Sequence, residues 1–474
     1  MSVRTPNSES GAPQAAHEDG LLGKRLFASS SMAFLVLVSG AGIGLVAQLG
    51  TVRLIGAESF GLYAYVIAWT TVLGYISTFG FHVSLLRLLP TYQVESDWSK
   101  AGGVLRFAVS GTALAGTAVA ALAAATAYAV HGTDSELGRA LLIGAAAVPL
   151  LGLRLVSAAA VRAYGGIIPA MLPERILRDT LAFLFLAFAV LTGLATPNAV
   201  TAMSAALLSA VLLLWILRRF LVARVPRDIT DAPRSYAPRT WLQPAVWLTL
   251  IMLADTLMSR AGILVLGSRG LPTEVAIFTV ATSLSLIAAL PRLSISTLFA
   301  PTVSALYARK DMDGLQSLVA RSALLSLGGT LAVALPLILG APIILPWFGE
   351  TFLAARPVLT ILILGQLAAA AAGPQQHLLT MTGRERVGSK LMIAAAISNV
   401  ICAAIFYGPF GVIGVAVAAA LSMIGWNVGM MWFLRRNLGL RPGLACAPTL
   451  LKDAWSPKPE KPASIAPGLP EGKP

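Results

Sequence analysis

The sequence predicts an all-α polytopic membrane protein with about twelve transmembrane helices in two six-helix bundles around a central cavity. Hydrophobic residues make up 57% of the chain and charged residues only 12%, whereas a soluble domain is about 25% charged. The mean hydropathy is +0.78. Apolar stretches of about 20 residues recur along the chain, and each is long enough to cross a hydrocarbon core of about 30 Å.

The ends of the apolar stretches are marked by glycine and proline, as in GGIIPAML, TPN and YGPFG. This punctuation separates one predicted helix from the next. The predicted spans cover residues 28–51, 60–80, 104–130, 140–162, 175–195, 199–219, 244–267, 273–294, 317–340, 356–373, 388–407 and 411–434.

Lysine and arginine concentrate in alternate loops. Only Arg53, Arg139, Arg269 and Arg356 fall on the other side. Because positive loops stay in the cytoplasm, this asymmetry predicts an even number of spans with both termini inside. It also accounts for the pI of about 10.2 as a topology signal, so we expect no nucleic-acid partner.

The apolar stretches group into two sets of six. The first stretch is too long for the apolar core of a signal peptide, so we expect a retained anchor. The Arg-rich loop between the sixth and seventh spans divides the sets, and both chain ends are polar enough to predict disorder. The predicted regions are a disordered cytoplasmic N-terminus (1–24), a first bundle (25–219), a cytoplasmic linker (220–240), a second bundle (241–436) and a cytoplasmic Pro-rich tail (437–474).

An internal repeat supports this division. The segment IGAESFGLYAYV at 55–66 resembles GLPTEVAIFTVA at 270–281, and both precede the second helix of their set. Both helices would then run in the same direction through the membrane. The pattern predicts a parallel repeat related by a pseudo-two-fold axis along the membrane normal, an architecture found in transporters.

Three long segments resemble bacterial oligosaccharide or polysaccharide flippases of the multidrug, oligosaccharidyl-lipid and polysaccharide exporter superfamily. They are RLIGAESFGLYAYVIAWTTVLGYISTFGFHVSLLRLLPTY (53–92), YGGIIPAMLPERILRDTL (164–181) and ILPWFGETFLAARPVLTILILGQLAAAAAGPQQHLLTMTGRER (344–386). The resemblance implies two bundles facing a cavity and a polyprenyl-pyrophosphate-linked oligosaccharide as cargo. Members often carry an acid at the position of Gly262, whereas this chain has Asp255 two turns earlier.

Charges inside predicted spans are the candidate site residues, because each is expensive in lipid. Asp255 and Arg260 lie in the seventh span but on different faces, since five helical residues turn about 140°. Arg154 in the fourth span is a candidate partner for Asp255 or a phosphate ligand. Arg260 is a second candidate ligand, and Asp255 is a candidate coupling or charge-balancing residue.

The start of the predicted fifth span, ERILRD, carries four charges. Glu174 with Arg178, and Arg175 with Asp179, have the i,i+4 spacing of helix ion pairs. The alternative role is a basic entrance where Arg175 and Arg178 meet a pyrophosphate, since a guanidinium matches phosphate oxygens bidentately. The weaker site candidates are Arg53, Arg87, Arg292 and Asp179.

Several kinds of site are not indicated. The four histidines and two cysteines are scattered, no metal motif or Walker loop occurs, and we expect no metal, cofactor or enzymatic activity. The segment SGAGIGL at 39–45 lies inside an apolar stretch, so Gly40 and Gly44 predict close helix packing.

We therefore expect a flippase in the bacterial inner membrane that moves a lipid-linked oligosaccharide by alternating access, for O-antigen, capsule or exopolysaccharide synthesis. H+ or Na+ is a possible coupling ion and a polysaccharide polymerase a possible partner. The alternatives are an ion-coupled exporter of small molecules on the same fold and a non-transporting membrane scaffold. A cationic drug would favour a carboxylate-rich cavity, whereas this chain has more arginine than acid in its spans.

Overall fold

The computed structural model describes residues 12–382, 384–440 and 443, with most side chains from residue 35 onward. All regular secondary structure in this described part is helical, as the composition predicts. The α-helices are α1 (Ala12–Ser77), α2 (Phe81–Val94), α3 (Trp98–His131), α4 (Glu136–Ala163), α5 (Ile167–Leu172), α6 (Arg178–Leu191), α7 (Ala199–Val222), α8 (Arg227–Asp231), α9 (Pro238–Ser268), α10 (Pro272–Ala308), α11 (Met312–Ile344), α12 (Ala355–Ala372), α13 (Gln375–Met381) and α14 (Glu385–Leu438).

Three short irregular helices also occur in the described part of the chain. A π-helical turn at Pro173–Leu177 joins α5 to α6, and two 3₁₀ turns, Leu345–Trp347 and Glu350–Ala354, join α11 to α12. The residues from 167 to 191 therefore form one broken helix. It begins eight residues before the predicted fifth span, because the apolar turn IIPAML continues the helix toward the preceding glycines.

Nine helices in the described part are long and apolar enough to cross a membrane. Two of them, α1 and α14, are each too long for a single crossing at 1.5 Å per residue. Each breaks at a glycine with positive φ, Gly56 at +79° and Gly411 at +56°, where a non-glycine residue would be strained. The breaks coincide with predicted boundaries between spans, and the total of about twelve spans stays a prediction.

The N-terminal segment and α2 differ from the sequence expectation. Residues 12–24 belong to α1, because Ala, Leu, Glu and Lys in AAHEDGLLGKRL are good helix formers. Residues 1–11 and most of the predicted tail, 444–474, lie outside the described residues. The helix α2 follows Gly80 in a left-handed conformation, where the sequence predicts only a loop.

The two ends of the molecule pack differently. We call the end with the Gly56 and Gly411 breaks the distal end, and the end with the connection 223–237 the proximal end. At the distal end one apolar core contains residues from both halves, including Phe60 and Ala64 of α1 and Leu266 and Phe278 of α9 and α10. This shared core closes the distal end.

At the proximal end the two halves have separate apolar cores. Leu85 and Val104 belong to the core of the first half, and Val319 and Leu434 belong to that of the second. The start of α9 is the exception, because Trp241 is fully buried in the first core. At the proximal end the halves therefore share no apolar core among the described residues, and only the start of α9 packs into the core of the first half.

The two segments of the predicted repeat meet at the distal end. Each helix begins after a glycine with positive φ, Gly56 or Gly270. A side-chain carbon on Gly61 would overlap the backbone carbonyl of Pro272, and one on Gly267 would overlap the ring of Tyr65. Glycine is required here for the close approach of the halves. The pseudo-two-fold axis itself stays a prediction.

Candidate functional site

The π turn places four charged residues of the first half on a widened helical segment. Pro173 starts the turn and contributes no backbone N–H, and the N–H of Arg178 bonds to the Pro173 carbonyl five residues earlier. Such π bulges are rare and occur often at functional sites. The extra residue rotates Glu174 and Arg175 relative to Arg178, so an ordinary i,i+4 relation no longer holds.

The pairing predicted for these residues is therefore wrong. Glu174 contacts Arg154 of α4, with 2.8 Å between Oε1 and Nε. Arg178 instead donates two hydrogen bonds to the neighbouring carboxylate of Asp179, Nε to Oδ1 at 2.7 Å and Nη2 to Oδ2 at 2.9 Å. Arg175 is exposed and has no ion pair or hydrogen bond with the described residues.

Arg154 has a different partner from the one expected. It pairs with Glu174 and not with Asp255, and its side chain is only 4% exposed. The contact is a close ion pair without an aligned hydrogen bond. Because Arg154 is buried and paired, it has little surface left for a ligand. Its remaining role is an electrostatic effect on the neighbouring charges.

Close packing of α1 fixes the position of the π turn. A side-chain carbon on Gly40 would lie 2.6 Å from the Arg175 carbonyl oxygen, and one on Gly44 would lie 3.3 Å from the Asp179 carboxylate. The prediction that these glycines serve close helix packing is confirmed. From the other side, the hydroxyl of Ser209 in α7 donates to the Arg178 carbonyl at 3.0 Å.

The second half contributes Asp255 and Arg260, both on α9. Arg260 interacts electrostatically with Arg178 and Asp179 of the first half. Asp255 is exposed, and its charge acts on Tyr75, also of the first half. Within the described part of the chain, neither residue has a hydrogen bond or an ion pair. The charges of both residues therefore act on residues of the first half, and both side chains lack an ion pair in the described part of the chain.

Tyr75 of α1 lies among all these charges. It interacts electrostatically with Glu174, Arg175, Arg178 and Asp255, as well as with Arg154, Arg162 and Arg260. The sequence did not single out Tyr75, because one tyrosine in an apolar helix carries no pattern. We call the following residues the charged cluster: Tyr75, Arg154, Arg162, Glu174, Arg175, Arg178, Asp179, Asp255 and Arg260.

The charged cluster borders open space between the halves. The side chains of Arg178 and Asp179 are 47% and 39% exposed, although they lie near the middle of the helix from 167 to 191. Asp255 and Arg175 are exposed as well. Because charges of the second half act on those of the first, this exposed surface lies on the side of the first half that is within electrostatic reach of the second.

The weaker candidates lie elsewhere. Arg53 is at the distal end and donates to the carbonyls of Trp347 and Pro346 at 2.6 and 3.0 Å, which joins α1 to the second half. Arg87 is exposed on α2. Arg292 of α10 keeps its buried Nε without a hydrogen bond. Burial and the nearby charge of Arg292 lower the pKa of His377, so this histidine stays neutral at pH 7.

Among the described residues, no group of three or more His, Cys, Asp or Glu side chains is placed to hold a metal ion. The charged cluster offers electrostatic interactions to a ligand. Unpaired guanidinium groups can bind an anionic group by charge-assisted hydrogen bonds, and an unpaired carboxylate, Asp255, can bind a cation or a proton.

The comparisons agree with a transporter fold. The family model "polysaccharide biosynthesis protein" matches residues 26–307. None of the curated protein sequences that were compared with the chain matches it. An inward-facing multidrug resistance MATE family transporter of the MOP superfamily is similar in structure, with a TM-score of 0.66 and 17% identity over 86% of this chain and 98% of that one.

Two further structures share this fold. The lipid II flippase MurJ in an inward closed conformation aligns with a TM-score of 0.66 and 14% identity, over 85% of this chain and 87% of that one. A MOP superfamily transporter from Pyrococcus furiosus, whose binding pocket is described as having reverse polarity, aligns at 0.56 and 16%, over 86% and 96%. The chain thus has the fold of MOP superfamily transporters.

Proposed function

Because the chain belongs to the polysaccharide biosynthesis protein family, we propose that it is a flippase for a polyprenyl-pyrophosphate-linked oligosaccharide. It would move this cargo across the bacterial inner membrane for the synthesis of a surface polysaccharide. The protein is a multi-pass membrane protein with the fold of transporters, which supports a role in translocation and not in catalysis.

The observation that carries the proposal is the charge balance of the charged cluster. Its five arginines outnumber its three carboxylates and leave a net charge of +2. A pyrophosphate diester is a dianion and would neutralise this excess. The pairs Arg154–Glu174 and Arg178–Asp179 already balance each other. Three arginines of the cluster, Arg162, Arg175 and Arg260, then stand against the single carboxylate of Asp255, and Arg175 and Arg260 are the phosphate ligands in this proposal.

The shape of the molecule supports the same cargo. A polar glycan and a pyrophosphate cannot cross hydrocarbon. The exposed charged surface of the cluster would offer them a hydrated path. The polyprenyl tail would stay in lipid at the proximal end, where the halves have separate apolar cores. Under the predicted topology this end faces the cytoplasm, where such a cargo is assembled.

The second candidate is an exporter of small cationic molecules, which the exposed and unpaired carboxylate of Asp255 favours. One unpaired carboxylate beside three unpaired arginines is a poor site for a cation, so the charge balance favours the flippase. Coupling to H+ or Na+ through Asp255, and association with a polysaccharide polymerase, stay predictions.

The test is transport in proteoliposomes by the double variant Arg175→Gln with Arg260→Gln. We expect at least about a tenfold lower rate for a lipid-linked oligosaccharide, because each guanidinium contributes charge-assisted hydrogen bonds of about 1.5–3 kcal/mol. The thermal unfolding midpoint should not change, since neither arginine has a partner to lose among the described residues.

The matched control is the double variant Arg218→Gln with Arg239→Gln, which removes the same charge from exposed positions outside the charged cluster. It should transport at the rate of the wild-type protein. Full transport by the Arg175 and Arg260 variant would refute the cationic site. Efflux of a cationic dye by the wild-type protein, without transport of the lipid-linked oligosaccharide, would identify the exporter instead.

A further inference from the structure

Tyr75 lies where three helices converge. Its neighbour Gly74 packs against α4, since a side-chain carbon there would lie within 2.5 Å of Leu151, three residues before Arg154. Gly80, five residues after Tyr75, touches the Ala245 carbonyl of α9 so closely that a side-chain carbon would overlap it. The tyrosine is therefore held between the fourth helix of the first half and the first long helix of the second.

The ring of Tyr75 packs against the ring of a buried histidine. The rings of Tyr75 and His82 meet edge-on, with 5.2 Å between their centroids. His82 is only 6% exposed, and its Nδ1 lies 2.8 Å from the Thr78 hydroxyl. Thr78 in turn donates to the Tyr75 carbonyl at 2.8 Å. This local network restricts the orientation of the Tyr75 ring.

The hydroxyl of Tyr75 is free to bind a ligand. It has no hydrogen bond with the described residues, and it is not one of the buried polar atoms that lack a partner. Many other hydroxyls of the described helices instead donate to the backbone of their own helix, as Thr71 does. A phenol cannot do this from its ring, so its O–H remains a donor that points away from the backbone.

We propose that Tyr75 is a substrate-binding residue whose hydroxyl donates a hydrogen bond to a phosphate oxygen of the cargo headgroup. This rests on the proposed function. In this proposal the unpaired arginines Arg175 and Arg260 bind the dianion from the two halves, and Tyr75 interacts electrostatically with both of them. A neutral donor at this place binds a phosphate without adding a charge that would have to be desolvated when the site is empty.

The test is binding of inorganic pyrophosphate to the full-length protein in detergent, by isothermal titration calorimetry. The variant Tyr75→Phe removes one oxygen and keeps the ring against His82. We expect this variant to bind pyrophosphate with a Kd about tenfold higher than that of the wild-type protein. The control Tyr128→Phe, at an exposed position of α3, should bind as the wild-type protein does. An unchanged Kd for Tyr75→Phe would overturn the proposal.

A second variant separates ligand contact from positioning. His82→Ala should weaken pyrophosphate binding less than Tyr75→Phe does, and it should add no loss in the Tyr75→Phe background, because it acts only through the phenol. A further loss in the double variant would overturn this role for His82. The calorimetric result stands apart from transport: if the protein moves no lipid-linked oligosaccharide, the proposed function fails while the pyrophosphate titration still decides the role of Tyr75.

Discussion

The halves meet at the distal end in a contact that we call the seam. The seam and the charged cluster are held together by different kinds of interaction. At the seam the halves touch through glycines, apolar side chains and backbone carbonyls, as between Gly61 and Pro272. In the charged cluster both ion pairs, Arg154–Glu174 and Arg178–Asp179, lie within the first half. The halves can therefore move apart without breaking either ion pair.

This difference has an energetic reason. Leaving a buried charge without its partner costs about 3–5 kcal/mol, so an ion pair across the halves would resist their separation. Apolar and backbone contacts can be exchanged for lipid or water at a smaller cost for each contact. A transporter that alternates between states therefore needs apolar and backbone contacts, and not ion pairs, between its halves.

The largest expected effect is in the charged cluster. Glu174→Gln leaves the buried guanidinium of Arg154 unpaired, and we expect a loss of about 3 kcal/mol in the free energy of unfolding. Differential scanning fluorimetry of the solubilised protein would show this as a lower midpoint. The double variant Arg154→Gln with Glu174→Gln removes both charges and should recover most of the loss. A double variant no more stable than the single one would show that the pair is not the cause.

A substitution at the seam should lower the free energy of unfolding less than Glu174→Gln does. Gly61→Ala forces a methyl group onto the Pro272 backbone, which cannot move as a flexible side chain could, and we expect a loss of about 1–3 kcal/mol. Gly42→Ala is the matched control on the same helix, because a side-chain carbon there meets nothing within 4 Å. The control should be neutral or gain up to about 1 kcal/mol from the lower entropy of the unfolded chain. Equal midpoints for the two variants would contradict the close approach at Gly61.

The smallest effect concerns the exposed contact across the seam. Arg53→Gln removes two hydrogen bonds to the carbonyls of Pro346 and Trp347, and we expect a shift of about 1 kcal/mol or less toward separation of the distal ends.

Electron paramagnetic resonance can measure this shift between labels on Glu58→Cys and Glu350→Cys, in a protein whose native cysteines are replaced by serine. The population of long distances should rise about two- to fivefold. Arg139→Gln, exposed at the same end, is the control and should leave the distances unchanged. An unchanged distribution for Arg53→Gln would show that Arg53 does not hold the seam.

The sequence predicted the elements that depend on local patterns. Long apolar runs require helices in lipid, and glycine at Gly56 and Gly411 marks the breaks because only glycine adopts positive φ without strain. The arginine-rich character of the site also followed from residue types. The spacing of Gly40 and Gly44 predicted their close packing, since residues four apart share one helix face.

The partners of the charges did not follow from local patterns. The expected pairs within ERILRD fail because a π turn changes the angular relation of Glu174 and Arg178. No local signal places Glu174 beside Arg154 or Arg53 beside Trp347, which lies 294 residues away. The position of Tyr75 among the charges likewise depends on how α1, α4 and α9 pack.

The sequence by itself determined that this protein lies in the membrane, that its chain crosses repeatedly as helices, and that its buried charges are mainly basic. These properties are sums over residues and periods along one helix, and the cost of polar groups in hydrocarbon fixes them. Only the tertiary structure decided which arginines are neutralised and which remain free. That choice depends on contacts between distant helices, where small rotations of a helix decide which side chains meet.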